Sequence, residues 1–138
     1  MEVVSFEHLY VEKLFHGTRV EVAPNIVLDG LDTRYSKGGS RTHMNFVSDF
    51  TAVKRGRPRP GWRTGSTAVV EVPLAGLLRA GIEVFYTKNH AYVTEGINGR
   101  IPAALISAVR RMEDMEILYP PPEVATALAI RREQAHNM

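Results

Sequence analysis

Leu14-Phe15-His16-Gly17-Thr18 sets the frame for this chain: two apolar residues lead into a His, a Gly and a hydroxyl side chain, and Val20 to Leu28 then reads as a short helix. A strand ending at His16 is predicted, with Gly17 leaving the backbone beside the imidazole open to close approach by a ligand. The same residues also suit a strand end whose His and Thr satisfy only local hydrogen bonds. Pro24 sits late for a helix start, so the first turn can begin there, and Gly30 occupies the stop position.

Working outward, Met1 to Tyr10 reads as a strand or a short packing arm, and Ser36 to Ser40 has the small-residue composition of a mobile connection. Thr42 to Val47 alternates as a strand with one buried face does. Asp49 is placed to cap a helical turn over Phe50 to Lys54. Gly56 to Gly65, carrying Pro58, Pro60, Gly61 and Trp62, is irregular and reads as a surface loop. Ala68 to Val72 is a β-branched run suited to a central strand, and Pro73 opens a helix, Leu74 to Arg79, stopped at Gly81. Val84-Phe85-Tyr86 and Ala91 to Thr94 read as strands joined by a turn, whereas Ala103 to Val109 fits helix and strand equally. A C-terminal helix is predicted over Glu123 to Gln134. Strands outnumber helices, so the expectation is one α+β domain on a mostly antiparallel sheet. Within it, residues 1–12 form an arm, 13–109 the core and 110–138 an extension.

The 138 residues suffice to bury a core without staples, and the absence of Cys removes disulfides and thiolate chemistry. No apolar run of about 18 residues occurs, and Glu2, Glu7, Glu12 and Lys13 near the start do not form a signal peptide. A soluble protein of the cytoplasm or nucleus, with no membrane partner, is expected. The five His residues show no i, i+4 pair, so no metal is expected. Neither a phosphate loop ending in Gly-Lys-Ser/Thr nor a Gly-x-Ser-x-Gly elbow is present. Net charge is only +2, yet Lys54, Arg55, Arg57, Arg59 and Arg63 fall in one segment. That segment either meets phosphates or is a solvated loop. His, Thr, Arg and Asn remain as donors suited to gripping a ribose and phosphates.

His16-Gly17-Thr18, Ile26, Gly30-Leu31, Arg41-Thr42-His43-Met44-Asn45-Phe46, Gly61-Trp62-Arg63-Thr64-Gly65 with Val69-Val70-Glu71-Val72, Gly81-Ile82 with Phe85-Tyr86, Asn89 to Thr94, and Gly99 to Pro102 follow one another in this order. That order resembles the NAD-dependent RNA (tRNA) 2'-phosphotransferases, which belong to RNA processing and tRNA splicing. The likeness is to their C-terminal, NAD-binding lobe and covers Lys13 to Ile106. It implies an ADP-ribosyltransferase-like split antiparallel β-sheet with short flanking helices, gripping NAD as co-substrate in an extended cleft. In that family the RNA 2'-phosphate attacks the ribose carbon bearing nicotinamide. Transesterification then releases ADP-ribose 1'',2''-cyclic phosphate.

By position, the resemblance implies that His16 holds the nicotinamide-side ribose, supported by Gly17 and Thr18. Arg41, the Arg of the family's Arg-x-His-Val-His stretch, is implied as the catalytic phosphate grip, a task suited to a planar, permanently charged guanidinium. His43 falls in the same stretch and joins the cofactor-binding set. Tyr86, Asn89 and His90 are implied at the nicotinamide edge of the cleft, although Tyr86 also suits core packing. Arg63, Lys54 and Arg55 are weaker candidates for substrate phosphate.

Two departures from the family stand out. Asn45 replaces the second His of Arg-x-His-Val-His, so an amide that hydrogen-bonds stands where a ring stacks, and Asn45 enters the catalytic set as a residue that weakens or retunes NAD cleavage. The family also carries a winged-helix RNA lobe before its His-Gly-Thr, and only fifteen residues, none of them Arg, precede His16 here. The expected partners are therefore an RNA bearing a 2'-phosphate or terminal phosphate and a separate RNA-binding lobe or protein, with the basic loop Lys54 to Arg63 standing in for the lobe. Two further readings remain open: ADP-ribosyl transfer to nucleic-acid phosphate ends, and a catalytically weak NAD- or ADP-ribose-binding module. A nucleic-acid-binding domain without NAD rests on the basic loop alone.

Overall fold

A computed structural model of the chain describes residues 2–8, 11–32, 43–57 and 59–120. The readings of Ser36 to Ser40, Arg41, Thr42 and the helix Glu123 to Gln134 lie outside the described residues.

Ten strands are described: β1 (Glu2–Val3), β2 (Lys13–Thr18), β3 (Leu31–Asp32), β4 (Met44–Phe46), β5 (Ala68–Pro73), β6 (Phe85–Tyr86), β7 (Tyr92–Thr94), β8 (Arg100–Ile101), β9 (Ala108–Arg111) and β10 (Ile117–Tyr119). With them come three short α-helices, α1 (Ala23–Asp29), α2 (Phe50–Lys54) and α3 (Leu74–Arg79). The strands form two four-stranded antiparallel sheets, β1-β6-β7-β4 and β10-β9-β5-β2, and a small β3-β8 ribbon. The domain is α+β.

β5 shows why a β-branched run makes a central strand. It pairs with β2 on one side and β9 on the other, and Ala68, Val69, Val70 and Val72 are all fully buried. Strands covered on both faces read as continuous apolar runs for this reason. One core fills the space between the sheets: Leu14, Val70, Val72 and Val109 come from the second sheet, and Met44, Phe46 and Tyr92 from the first. Ile26 of α1 and Leu74 and Leu77 of α3 close it. Each large side chain so enclosed contributes about 1.5–3 kcal/mol relative to exposure.

Local signals place most boundaries, with adjustments. The helix expected from Val20 starts as a 3-10 turn, Val20–Val22, and becomes α-helical at Ala23, because Pro24 fixes a first-turn position. Val84 and Ala91 fall just outside their strands. Ala103 to Val109, equally helical and extended as sequence, divides into a 3-10 turn at Ala103–Leu105 and then β9. The register of β9 against the buried face of β5 decides the matter. The sheet also reaches both flanks of the 13–109 span: β1 pairs with β6, and β10 pairs with β9.

Asp49 caps α2 as expected, its Oδ1 accepting from the Ala52 N–H at 3.2 Å. Its Oδ2 accepts from Arg59 Nη2 at 2.8 Å, which ties the following loop to the cap. Asp49→Ala is expected to cost about 1–2 kcal/mol, mostly the cap with a small addition from an exposed ion pair. Urea unfolding measures it, and a cost indistinguishable from zero would show that the cap is idle.

Candidate functional site

His16 stands at the seam of the two sheets. Phe15 and Val47 exchange both backbone hydrogen bonds, at 2.8 and 2.9 Å, and form an isolated bridge between β2 and the chain just after β4. An antiparallel ladder would continue with Gly17 opposite Asn45. Among the described residues that rung is absent. The Asn45 carbonyl instead accepts from His16 Nδ1 at 2.7 Å. A carbonyl only accepts, so in the neutral ring the proton sits on Nδ1 and Nε2 is the basic nitrogen. The ring also tilts against Phe46, with centroids 5.3 Å apart, so β4 sets its orientation twice.

Asn45 enters this arrangement by its backbone. The resemblance implies a role for its side-chain amide where the family has a second His, whereas the described contact to His16 comes from its carbonyl. Thr18, only 3% exposed, follows His16 on the same face of β2, and its carbonyl accepts from the Thr67 N–H at 2.9 Å.

At Gly17 the approach expected of a ligand belongs to the protein itself. A Cβ there would lie 2.4 Å from Ser66 Oγ and 3.1 Å from Trp62 Cε2. Trp62 in turn packs on Phe50 at 6.2 Å, and Phe50 stacks on Phe15 at 5.0 Å. Strand alternation puts this aromatic stack and His16 on opposite faces of β2. The segment Gly56 to Gly65, expected as a surface loop, is thus docked through Trp62. Gly61, at φ 90°, also presses on β4, because a Cβ there would lie 2.6 Å from the Phe46 carbonyl oxygen.

Tyr86 and His90 form a hydrogen-bonded pair, and Tyr86 tilts against Tyr92 at 5.0 Å. Phe46 is registered opposite Tyr92, and Tyr92 opposite Tyr86. The row His16, Phe46, Tyr92, Tyr86 and His90 therefore crosses the first sheet, with Tyr86 two strand spacings, about 10 Å, from Phe46. His90, at φ 66°, and the exposed Asn89 lie in the β6–β7 turn. His43 is exposed immediately before β4.

The structure thus brings His16, Thr18 and Asn45 together and sets Tyr86, Asn89 and His90 across the sheet. Lys54, Arg55 and Arg63 are exposed, Lys54 on α2 and Arg55 and Arg63 in the segment after it. Arg41 lies outside the described residues.

β5 also carries one buried acid. Glu71, 7% exposed on β5, accepts from Arg110 Nε at 3.1 Å and lies 3.6 Å from Lys13 Nζ. Two flanking cations offset the cost of burying its charge and make it a structural residue. Its signal in the sequence was a lone acid within Val69 to Val72.

A separate shallow cavity of about 210 Å³ is lined by Asp32, Ile97, Asn98, Arg100 and Pro102, none of them a residue expected in the site. Among the described residues no three His, Cys, Asp or Glu side chains gather where they would hold a metal ion. Among them, too, no helix is long and apolar enough to cross a membrane. Compared with protein-family models and with curated proteins, the chain finds no match in either.

Proposed function

We propose that this chain is an NAD-dependent RNA 2'-phosphotransferase-like enzyme with an ADP-ribosyltransferase-like split sheet, transferring an RNA 2'-phosphate to NAD with release of nicotinamide and ADP-ribose 1'',2''-cyclic phosphate. The observation that carries the reading is His16, held at the seam of two antiparallel sheets with Nδ1 directed at the Asn45 carbonyl. On this reading the imidazole holds the nicotinamide-side ribose for attack at its anomeric carbon. The ordered series of short motifs from His16-Gly17-Thr18 to Gly99 to Pro102 supports it independently. From the resemblance, Tyr86, Asn89 and His90 would edge the nicotinamide end of the cleft.

Chemically, the residues offer grip more than proton transfer. An oxygen of the RNA 2'-phosphate attacks the ribose carbon, and the carbon–nitrogen bond to nicotinamide breaks with its electron pair leaving on nicotinamide. The adjacent ribose hydroxyl then attacks phosphorus and expels the RNA 2'-oxygen. Arg41, from its place in the motif, would neutralise phosphate charge during both steps.

The test incubates pure protein with NAD and either an RNA carrying an internal 2'-phosphate or one carrying a 5'-phosphate, following nicotinamide release and RNA mass. Loss of the 2'-phosphate with a cyclic product is the expected result, and Arg41→Ala is expected to remove it. A mass gain on the 5'-phosphate would replace the reading by ADP-ribosylation of nucleic-acid ends. No turnover, with NAD still bound in a calorimeter, would reduce the site to a binding module, and no NAD binding would end the reading altogether.

A further inference from the structure

From Phe50 to Val70 the chain holds five cations, Lys54, Arg55, Arg57, Arg59 and Arg63, and no acid. Arg59 is paired with Asp49 at 2.8 Å, whereas the other four are exposed and in no ion pair among the described residues. A loop of this composition usually spreads its charges over many conformations. Here the described backbone on either side of Pro58 is held at several points. The Arg57 N–H donates to the Ala52 carbonyl at 3.0 Å, the Trp62 N–H to the Arg59 carbonyl at 3.1 Å, and the Thr67 N–H to the Thr18 carbonyl at 2.9 Å. Ser66 donates its hydroxyl to the Arg63 carbonyl at 2.6 Å, and Gly61 and Trp62 seat the loop on β4 and β2.

We propose that Lys54, Arg55, Arg57 and Arg63 form a preordered binding surface for the sugar-phosphate backbone of a nucleic-acid strand. Holding the backbone of a cationic loop in the free protein removes much of the ordering cost of binding, so the charge is available for affinity. Three of the four are Arg, whose fork pairs bidentately with phosphate oxygens. A nucleic acid fits better than a membrane, because Trp62, the loop's aromatic residue, is turned onto Phe50 and Gly17, leaving charge without an apolar side chain to insert among lipids. The surface needs no step of the NAD chemistry, so its test is read without NAD.

Fluorescence anisotropy with a labelled oligouridylate, from 50 to 300 mM salt and without NAD, measures it. Four phosphate contacts on a single strand give a slope of log affinity against log salt of about −3. The combined Lys54→Gln, Arg55→Gln, Arg57→Gln, Arg63→Gln variant is expected to lose about two orders of magnitude in affinity near 0.1 M salt and most of the slope. The pair Arg57→Gln, Arg63→Gln, which disturbs the surface less, is expected to lose about half the slope. Arg79→Gln, at the exposed end of α3, is expected to bind as the parent does. Affinity indifferent to salt, variants that bind as tightly as the parent, or capture by phosphatidylserine vesicles without RNA binding would each overturn the proposal.

Discussion

Replacing His16 by Ala is expected to weaken NAD binding about tenfold, the worth of one good hydrogen bond, and to lower turnover about 100-fold through loss of a positioned ribose. The same change leaves the Asn45 carbonyl without its described donor and is expected to cost about 1–3 kcal/mol of stability if water does not replace it. The two effects separate in a second variant. His16→Gln retains an amide donor, so part of the stability should return while turnover stays low. Calorimetric titration with NAD, nicotinamide release and urea unfolding read the three quantities. An unchanged NAD affinity in a folded His16→Ala protein would remove His16 from the site and leave it a structural residue of β2 bonded to β4.

Gly30→Ala is expected to be the most damaging small substitution in the described chain. Gly30 closes α1 at φ 84° and ψ −175°, a region open to Gly alone, while its N–H donates to the Ile26 carbonyl at 2.8 Å. A Cβ there would lie 2.1 Å from the Ile101 carbonyl oxygen and 3.0 Å from the Ala103 nitrogen, both backbone atoms that cannot swing aside. Dihedral strain and overpacking each cost about 1–3 kcal/mol, so a combined loss of about 4 kcal/mol is expected. That is a large share of the ~5–15 kcal/mol available to a domain of this size. Gly56→Ala is the matched control, since Gly56 also has positive φ, 79°, but no atom near its missing Cβ. Its expected cost is only about 1 kcal/mol. Equal small costs at both positions would show that the β3-β8 ribbon yields and that the close contact carries no energy.

The local elements were legible in the sequence because their causes are local. Asp49 caps α2 through a bond three residues along, Pro24 and Gly30 bracket α1, Pro73 precedes α3, and Ala68 to Val72 can satisfy a strand buried on both faces. The strand from Leu14 was legible too, but its end was not: β2 runs two residues past His16, because Gly17 and Thr18 pair with Val69 and Ala68 of β5. Side-chain alternation and capping need only neighbours along the chain.

What the tertiary structure decided involves partners far apart in sequence. Ser66 and Trp62 occupy the space beside Gly17, some fifty residues away, so a glycine that as sequence suggests ligand approach serves instead to let a loop dock. Asn45 meets His16 by its carbonyl because the ladder between β2 and β4 does not continue past the Phe15–Val47 bridge, and an unpaired carbonyl at a diverging seam needs a donor. Glu71 tolerates burial because register brings Lys13 and Arg110 from two different strands to its side. Helix caps and the central strand follow from neighbours along the chain, whereas which atoms face one another across the sheets follows from strand pairing, a long-range choice that no local preference encodes.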